Sequence, residues 1–257
     1  MNLITSRDNP HFKTWRRLAQ DGSAYRKVGH FWLEGDHLCR AAVERGVRPL
    51  HLVMTESFWT EQGPQWTGLT DKVFVVPDAL FASLSGLESP ARMGFVVSWA
   101  ADQQVMPDVA TVVLDRLQDA GNVGAILRCA SAFGYRQILA LKGTAALWSP
   151  KVLRAGMGAH FGLKLVESVS DAEVAALQVP LLTTNVHQGP FLHEILRRGD
   201  LPSPCAWVFG HEGQGVCDSL AAMAKHQVRI AQPGGEESLN VATAAAICLH
   251  AGATSVL

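Results

Sequence analysis

The sequence predicts an α/β fold in two successive regions, and three features carry that prediction. Short runs rich in Val, Ile, Leu and Phe alternate with helical patterns over residues 1–100. The same alternation restarts at residue 109 and continues to the end of the chain. Between them, residues 101–108 carry Asp102, Gln103, Gln104 and Pro107, a polar stretch that reads as a linker. A chain of 257 residues has room for one large domain or two small ones. The expected division is therefore 1–100, 101–108 and 109–257.

In the first region Asn9-Pro10 opens a helix whose apolar residues Phe12, Trp15, Leu18 and Ala19 fall on one stripe. Lys13, Arg16 and Arg17 lie off that stripe. Phe31–Glu34 reads as a strand, and Asp36 caps a helix through about Arg45. His51–Met54 and Lys72–Val76 are further strands, Pro77-Asp78 starts another helix, and Gly94–Trp99 is one more strand. This alternation predicts a three-layer α/β unit.

The second region opens with the strand Thr111–Leu114 and the loop Asp115–Gly121. A helix follows from about Asn122, its natural N-cap, to Phe133, with Gly134 as a left-handed stop. Ile126, Cys129, Ala130 and Phe133 form its apolar stripe and Arg128 projects away from it. Gln137–Leu141, Leu181–Thr184, Cys205–Phe209 and Gln227–Ile230 are strands, with helices at Lys151–Gly158 and Asp218–Lys225. Two loops stand out. Gly210-His-Glu-Gly-Gln-Gly215 puts three glycines and Glu212 directly after an apolar strand, where open α/β sheets bind ligands. Pro233-Gly-Gly235 then breaks a strand ahead of a helix of small residues, with Ser238 as a natural N-cap.

Composition narrows the class. Hydrophobic residues make up 48% and charged residues 18%, and the net charge of −1 gives no global case for a polyanionic partner. Its distribution does: residues 1–30 hold six cations, among them Arg7, Arg16, Arg17 and Arg26, against two carboxylates. The five cysteines are dispersed without a C-x-x-C pair, which argues for reduced thiols and against a disulfide framework or a zinc site. No apolar run reaches the ~18 residues of a membrane span. A cytoplasmic protein with no membrane contact and no metal is expected.

The motifs, in order, resemble those of the SpoU/TrmH branch of the SPOUT RNA methyltransferases. They are Asn122-x-Gly-Ala-Ile-x-Arg128, Phe209-Gly-x-Glu-Gly-x-Gly215 and Ile230 through Glu237-Ser-Leu-Asn-Val241, with Ser149–Gly158 as a connecting helix. Ser6-Arg7-x-Asn9-Pro10, Tyr25-Arg26 and Phe31-x-x-Glu34-Gly35 resemble the L30e-like substrate-binding domain that precedes it in this family. The resemblance implies a C-terminal α/β trefoil knot, against the general rule that chains do not knot. It also implies S-adenosyl-L-methionine as cofactor, a homodimer joined through the knotted domain, and methyl transfer to a ribose 2′-hydroxyl of structured RNA. Ribosomal RNA is the expected substrate and tRNA the second choice.

Carried onto this sequence, the resemblance gives catalytic roles to Asn122, Arg128, Glu212, Ser238 and Asn240. It gives cofactor contacts to Gly210, Gly215, Ile230, Gln232, Pro233 and Leu239, and RNA contacts to the basic cluster of Arg7, Arg16, Arg17 and Arg26. Arginine is a poor base at neutral pH, so Arg128 is expected to position the ribose and its phosphate. Two departures from the family pattern, Ala120 for a common Pro and Glu236 before Glu237, remove no candidate side chain. A catalytically inactive RNA-binding or ribosome-assembly protein of the same fold is the competing reading. A dinucleotide-dependent dehydrogenase is disfavoured, because the second strand of this region ends in Lys142-Gly143 rather than an acidic residue.

Overall fold

The helical stripe of Phe12, Trp15, Leu18 and Ala19 is buried as its spacing requires, and it nucleates the core of the first of two units. The structure, a computed structural model, describes residues 1–86, 90–101, 104–235 and 238–255. By backbone contacts the chain divides into Met1–Ala101 with Trp148–Phe161, and Asp102–Leu147 with Gly162–Leu257. The segment 148–161, expected within the second region, thus packs with the first.

In the first unit, in chain order, lie β1 (Asn2–Leu3), α1 (Pro10–Gln20), α2 (Ala24–Val28), β2 (His30–Glu34), α3 (Asp36–Glu44) and β3 (His51–Thr55). Next come α4 (Glu56–Gln62), β4 (Val73–Val76), α5 (Asp78–Leu84) and β5 (Met93–Ser98), and the unit also takes in the later helix Pro150–Gly156. Its sheet runs β1-β4-β3-β5-β2, parallel on the β4 side and antiparallel where β5 meets β3 and β2. Phe12, Trp15, Leu18, Trp32, Phe81 and Leu84 share one buried cluster, each large side chain contributing about 1.5–3 kcal/mol. Asp36 is not the cap expected of it. Gly35 takes the cap position and Asp36 the first helical turn, where a carboxylate favours the positive end of the helix.

The second unit is built on a parallel sheet of order β11-β9-β10-β6-β7-β8. Its strands are β6 (Thr111–Asp115), β7 (Gln137–Leu141), β8 (Lys164–Val169), β9 (Leu181–Thr184), β10 (Ala206–Gly210) and β11 (His226–Val228). Its helices are α6 (Ala120–Ala132), α8 (Asp171–Ala175), α9 (Leu192–Arg198), α10 (Asp218–Met223) and α11 (Val241–Thr254), Pro150–Gly156 being α7. The order runs outward from β6 through β7 and β8 on one side and through β10, β9 and β11 on the other. The carboxyl ends of β6 and β10 therefore form a switch point, the place where such sheets open a crevice.

Several local expectations need correction. Asp119, not Asn122, caps α6: its Oδ1 accepts the Asn122 N–H at 2.7 Å. Asn240, not Ser238, caps α11, accepting from Ala242 N–H at 2.9 Å and Thr243 N–H at 3.2 Å. In both cases the helix starts at a residue other than the one the apolar pattern suggested, and the cap moves with it. The buried face of α6 is Val123, Gly124, Ile126, Leu127 and Ala130, while Cys129 and Phe133 are only half-buried. Gly134 is left-handed as expected. Of the expected linker, Asp102 and Gln103 lie outside the described residues. The rest is anchored: Met106 N–H donates to Gln137 Oε1 at 2.7 Å and Gln178 N–H to Pro107 O at 2.7 Å.

Candidate active site

The site begins at the carboxyl end of β6. Asp115 is fully buried there, and it accepts from Arg116 Nε at 2.7 Å and from the Cys217 N–H at 2.7 Å. Arg116, held at a left-handed φ of 60°, also donates through Nη1 to Gln214 Oε1 at 3.1 Å. One paired carboxylate thus ties β6 to both the tip and the exit of the loop that follows β10. A buried charge is tolerated only when satisfied in this way.

That loop turns at Gly210. A Cβ at Gly210 would lie 2.2 Å from the carbonyl carbon of Gly215 and from the nitrogen of Val216, so any side chain would push the loop off the strand. Within the turn, Gly215 N–H donates to His211 O at 2.8 Å. His211 Nδ1 accepts from Gly213 N–H at 3.0 Å and Gln214 N–H at 3.2 Å. His211, to which the sequence attached no role, is the hydrogen-bonding hub of the loop.

Glu212 reaches back from this loop to α6. Its carboxylate accepts from Gln118 N–H at 3.3 Å, Asp119 N–H at 3.2 Å and Asn122 Nδ2 at 3.3 Å. Partial burial works to raise its pKa, but its own backbone N–H, that of Asp119, the Asn122 amide and the Gln118 N–H together outweigh burial and hold it below the ordinary carboxylate value. Asn122 Oδ1 in turn accepts from Asn240 Nδ2 at 3.0 Å. Three of the five side chains expected to be catalytic therefore form one hydrogen-bonded chain, Asn240 to Asn122 to Glu212. Each amide is oriented by it: Asn240 must direct its oxygen to the α11 cap and its nitrogen to Asn122.

An open cleft of about 880 Å³ adjoins this chain. Glu212, Ser238 and Asn240 line it, as do Gly210, Gly215, Ile230, Gln232 and Leu239. Asn122 meets the cleft only through its partners. Pro233 and Arg128 are both exposed, and neither is among the lining residues. Glu236 and Glu237 lie outside the described residues. The lining also includes Thr183, Thr184 and Asn185, which sequence reading missed. Their position at the carboxyl end of a parallel strand next to β10 was the available signal.

A cofactor with both polar and apolar parts fits this lining. Gln232 Oε1 is buried without a hydrogen-bond partner, an acceptor that a ligand can satisfy. Ile230, Leu239 and Val228 add apolar wall, and the volume falls within the range of about 300–1,000 Å³ of small-molecule sites. In the first unit Arg7, Arg16, Arg17 and Arg26 are all exposed, and Arg26 also lies over the Tyr25 ring at 5.2 Å. Among the described residues no group of His, Cys, Asp and Glu is arranged to hold a metal, and no helix is long and apolar enough to cross a membrane.

Comparison with known proteins bears on both units. A family model described as the SpoU rRNA methylase family matches residues 110–250, and one described as an MRM3-like substrate binding domain matches residues 9–93. An uncharacterised tRNA/rRNA methyltransferase of Synechocystis is 32% identical over 96% of this chain and 92% of its own. A 23S rRNA (guanosine(2553)-2′-O)-methyltransferase of Bacillus subtilis is 27% identical over 97% of this chain and 98% of its own. Among solved structures, an rRNA methyltransferase from Sinorhizobium meliloti superposes with a TM-score of 0.84 at 26% identity, covering 100% of this chain and 98% of that one.

Proposed function

This chain belongs to the SpoU rRNA methylase family, and from that premise we propose that it transfers a methyl group from S-adenosyl-L-methionine to a ribose 2′-hydroxyl of ribosomal RNA. The observation that carries the reading is the Asn240–Asn122–Glu212 chain at the rim of the cleft. Side chains of the three separate motifs converge there, which a protein keeping only the fold has no need to maintain. The Bacillus relative, whose name gives 2′-O-methylation of 23S rRNA, supports the reaction and the substrate class. The Synechocystis relative's name spans tRNA and rRNA, and tRNA is the second choice.

Bound in the cleft, the cofactor supplies a sulfonium-activated methyl group. Gly210, Gly215, Ile230 and Leu239 of the lining would hold it, and Gln232 would offer its free acceptor. Pro233 shapes the same loop from outside the lining. The protein's share of the chemistry is alignment. An alcohol is a weak nucleophile whose proton must leave as the methyl is attacked, and holding it in line is worth several kcal/mol by itself. Asn240 and Ser238, which line the cleft, orient the hydroxyl, and Asn122 acts by holding Asn240. Glu212 stays ionised and fixes the two asparagines. Arg128 binds the ribose phosphate.

The chain would work as a homodimer joined through the knotted domains, and that Arg128 is not among the lining residues of its own cleft is compatible with its serving the partner's site. The knot would be tied by the loop 210–215 and the chain through 232–235. The substrate-binding unit contributes Arg7, Arg16, Arg17 and Arg26 to phosphate contacts, and the protein works in the cytoplasm, where its substrate is.

The test is transfer of labelled methyl to rRNA from cells lacking the gene, followed by nucleoside analysis. A 2′-O-methylated nucleoside is expected, and Arg128→Ala should abolish it while cofactor binding persists. Label on a base would sink the 2′-O assignment. RNA binding without cofactor binding would favour the inactive assembly factor.

A further inference from the structure

Next to the cleft, the second unit carries a built surface that methyl transfer leaves unused. After β9 the chain passes through Gly189 and Pro190 to Phe191, which forms a parallel bridge with Arg229 beyond β11. Arg229 N–H donates to Pro190 O at 3.0 Å and Leu192 N–H to Arg229 O at 2.8 Å, so the two segments are pinned side by side. Gly189 permits this closeness: at its φ of +95° a Cβ would lie 1.6 Å from Gln227 O.

On this frame three planar groups sit together. The Arg229 guanidinium sits 4.0 Å from the centroid of the Phe191 ring, its plane fixed by Nε donating to Gly189 O at 2.8 Å. The His193 imidazole lies 5.4 Å from the same ring, within 20° of parallel. His193 is exposed, and Arg197 and Arg198 follow it, exposed, in the last turn of α9. Neither arginine makes an ion pair among the described residues. Glu194, the carboxylate nearest the stack in sequence, is engaged by the Phe191 N–H at 3.3 Å. The platform also adjoins the cleft, because Val228 and Ile230 on either side of Arg229, and His187 before Gly189, line it.

Phe191 and Arg229 are both half-buried, and their cation–π contact contributes on the order of 1–2 kcal/mol to stability, which accounts for the pair but not for the exposed His193 stacked beside it. Stacked planar groups among unneutralised cations suit a different ligand. Unpaired bases stack on aromatic rings and guanidinium planes while nearby arginines meet their phosphates. We propose that the Arg229–Phe191–His193 stack is a platform for an unpaired base of the RNA, with Arg197 and Arg198 supplying cations for its backbone. The proposal rests on the reading of the protein as an RNA methyltransferase and adds where, beside the cleft, single-stranded RNA lies.

The experiment compares full-length wild type, His193→Ala and Phe191→Leu for binding of a labelled oligoadenylate and of an RNA duplex of equal charge, with cofactor affinity measured in parallel. Each substitution should weaken oligoadenylate binding about fivefold or more. Duplex binding and cofactor affinity should each stay within about twofold, since a duplex offers no splayed base. Equal losses for strand and duplex would reduce the surface to plain electrostatics and overturn the proposal. So would unchanged binding, or a wild type that does not bind oligoadenylate. Should Phe191→Leu disturb the segment, His193→Ala decides alone, because its side chain is exposed. Methyl transfer to rRNA is assayed on the same preparations. Selective loss without any transfer keeps the platform and removes the enzymatic reading, whereas normal transfer without selective loss does the reverse.

Discussion

Thr55 in the first unit and Asn240 in the second do the same local work. Thr55 Oγ1 accepts the Phe58 N–H at 3.1 Å to cap α4, and Asn240 Oδ1 accepts the Ala242 and Thr243 N–H groups to cap α11. The difference lies in what each side chain has left over. The Thr55 hydroxyl also meets Ser57 Oγ at 3.1 Å and the Asp78 carboxylate at the start of α5, a local polar cluster within the first unit. The Asn240 amide nitrogen reaches across the carboxyl edge of a parallel sheet to Asn122, and through it to Glu212. The same capping geometry ends in a local polar cluster at Thr55 and joins the lining of a cleft at Asn240.

The contrast is broken most severely at Gly210. Gly210→Ala places a Cβ 2.2 Å from backbone that cannot yield cheaply, and cofactor affinity measured by calorimetry should fall by about 100-fold or more. Near-normal affinity would show that the loop is not set by this contact. Smaller, and more informative, is the pair of cap variants. Asn240→Ala and Thr55→Ala should each lose about 1 kcal/mol of stability in denaturant unfolding. Only Asn240→Ala should also lower the methyl-transfer rate, by roughly tenfold or more. Equal effects on rate would erase the distinction between the two caps.

Acid should also separate the units. Burial, with the charges of His11, Lys72 and His30, pushes the His51 imidazole down to about 4, and its Nδ1 accepts from Trp15 Nε1 at 3.0 Å. A histidine kept neutral in the fold binds its proton more readily when unfolded. Its contribution is therefore complete above pH ~6.5, is lost as pH falls toward about 4, and amounts to on the order of 1 kcal/mol after solvent screening. Glu212 has the opposite chemistry and a lower window. Its depressed folded pKa gives stability that is present above the ordinary glutamate value and lost only as pH falls through the folded one. Melting curves of His51→Gln and Glu212→Gln against wild type should converge with it in these two separate ranges. Convergence of both in one range would mean that a shared unfolding event, not these groups, sets the acid limit.

Much of the site was legible before any coordinates, and for physical reasons. The stripe of α1, the left-handed Gly134 and the glycine loop after β10 follow from periodicity and backbone sterics, which are local. The family the motifs resemble is also the family the chain matches. What failed was also local in origin: Asn122 and Ser238 were read as caps because the apolar pattern does not fix the first helical residue. The polar chain itself was out of reach, since its hydrogen bonds join residues 90 and 118 positions apart. Thr183, Thr184 and Asn185 were passed over because a strand end carries no mark until its neighbours are known. Short β1 and the α8 and α9 helices are too brief for any period to register.

The most direct test of the account is a double-mutant cycle on Asn122→Ala and Glu212→Gln, read in single-turnover methyl transfer to rRNA with saturating cofactor. If Asn240, Asn122 and Glu212 act as one unit, the double variant should be no slower than the worse single variant by more than about threefold. Losses that multiply would contradict the account, and would mean that the two side chains serve the reaction separately.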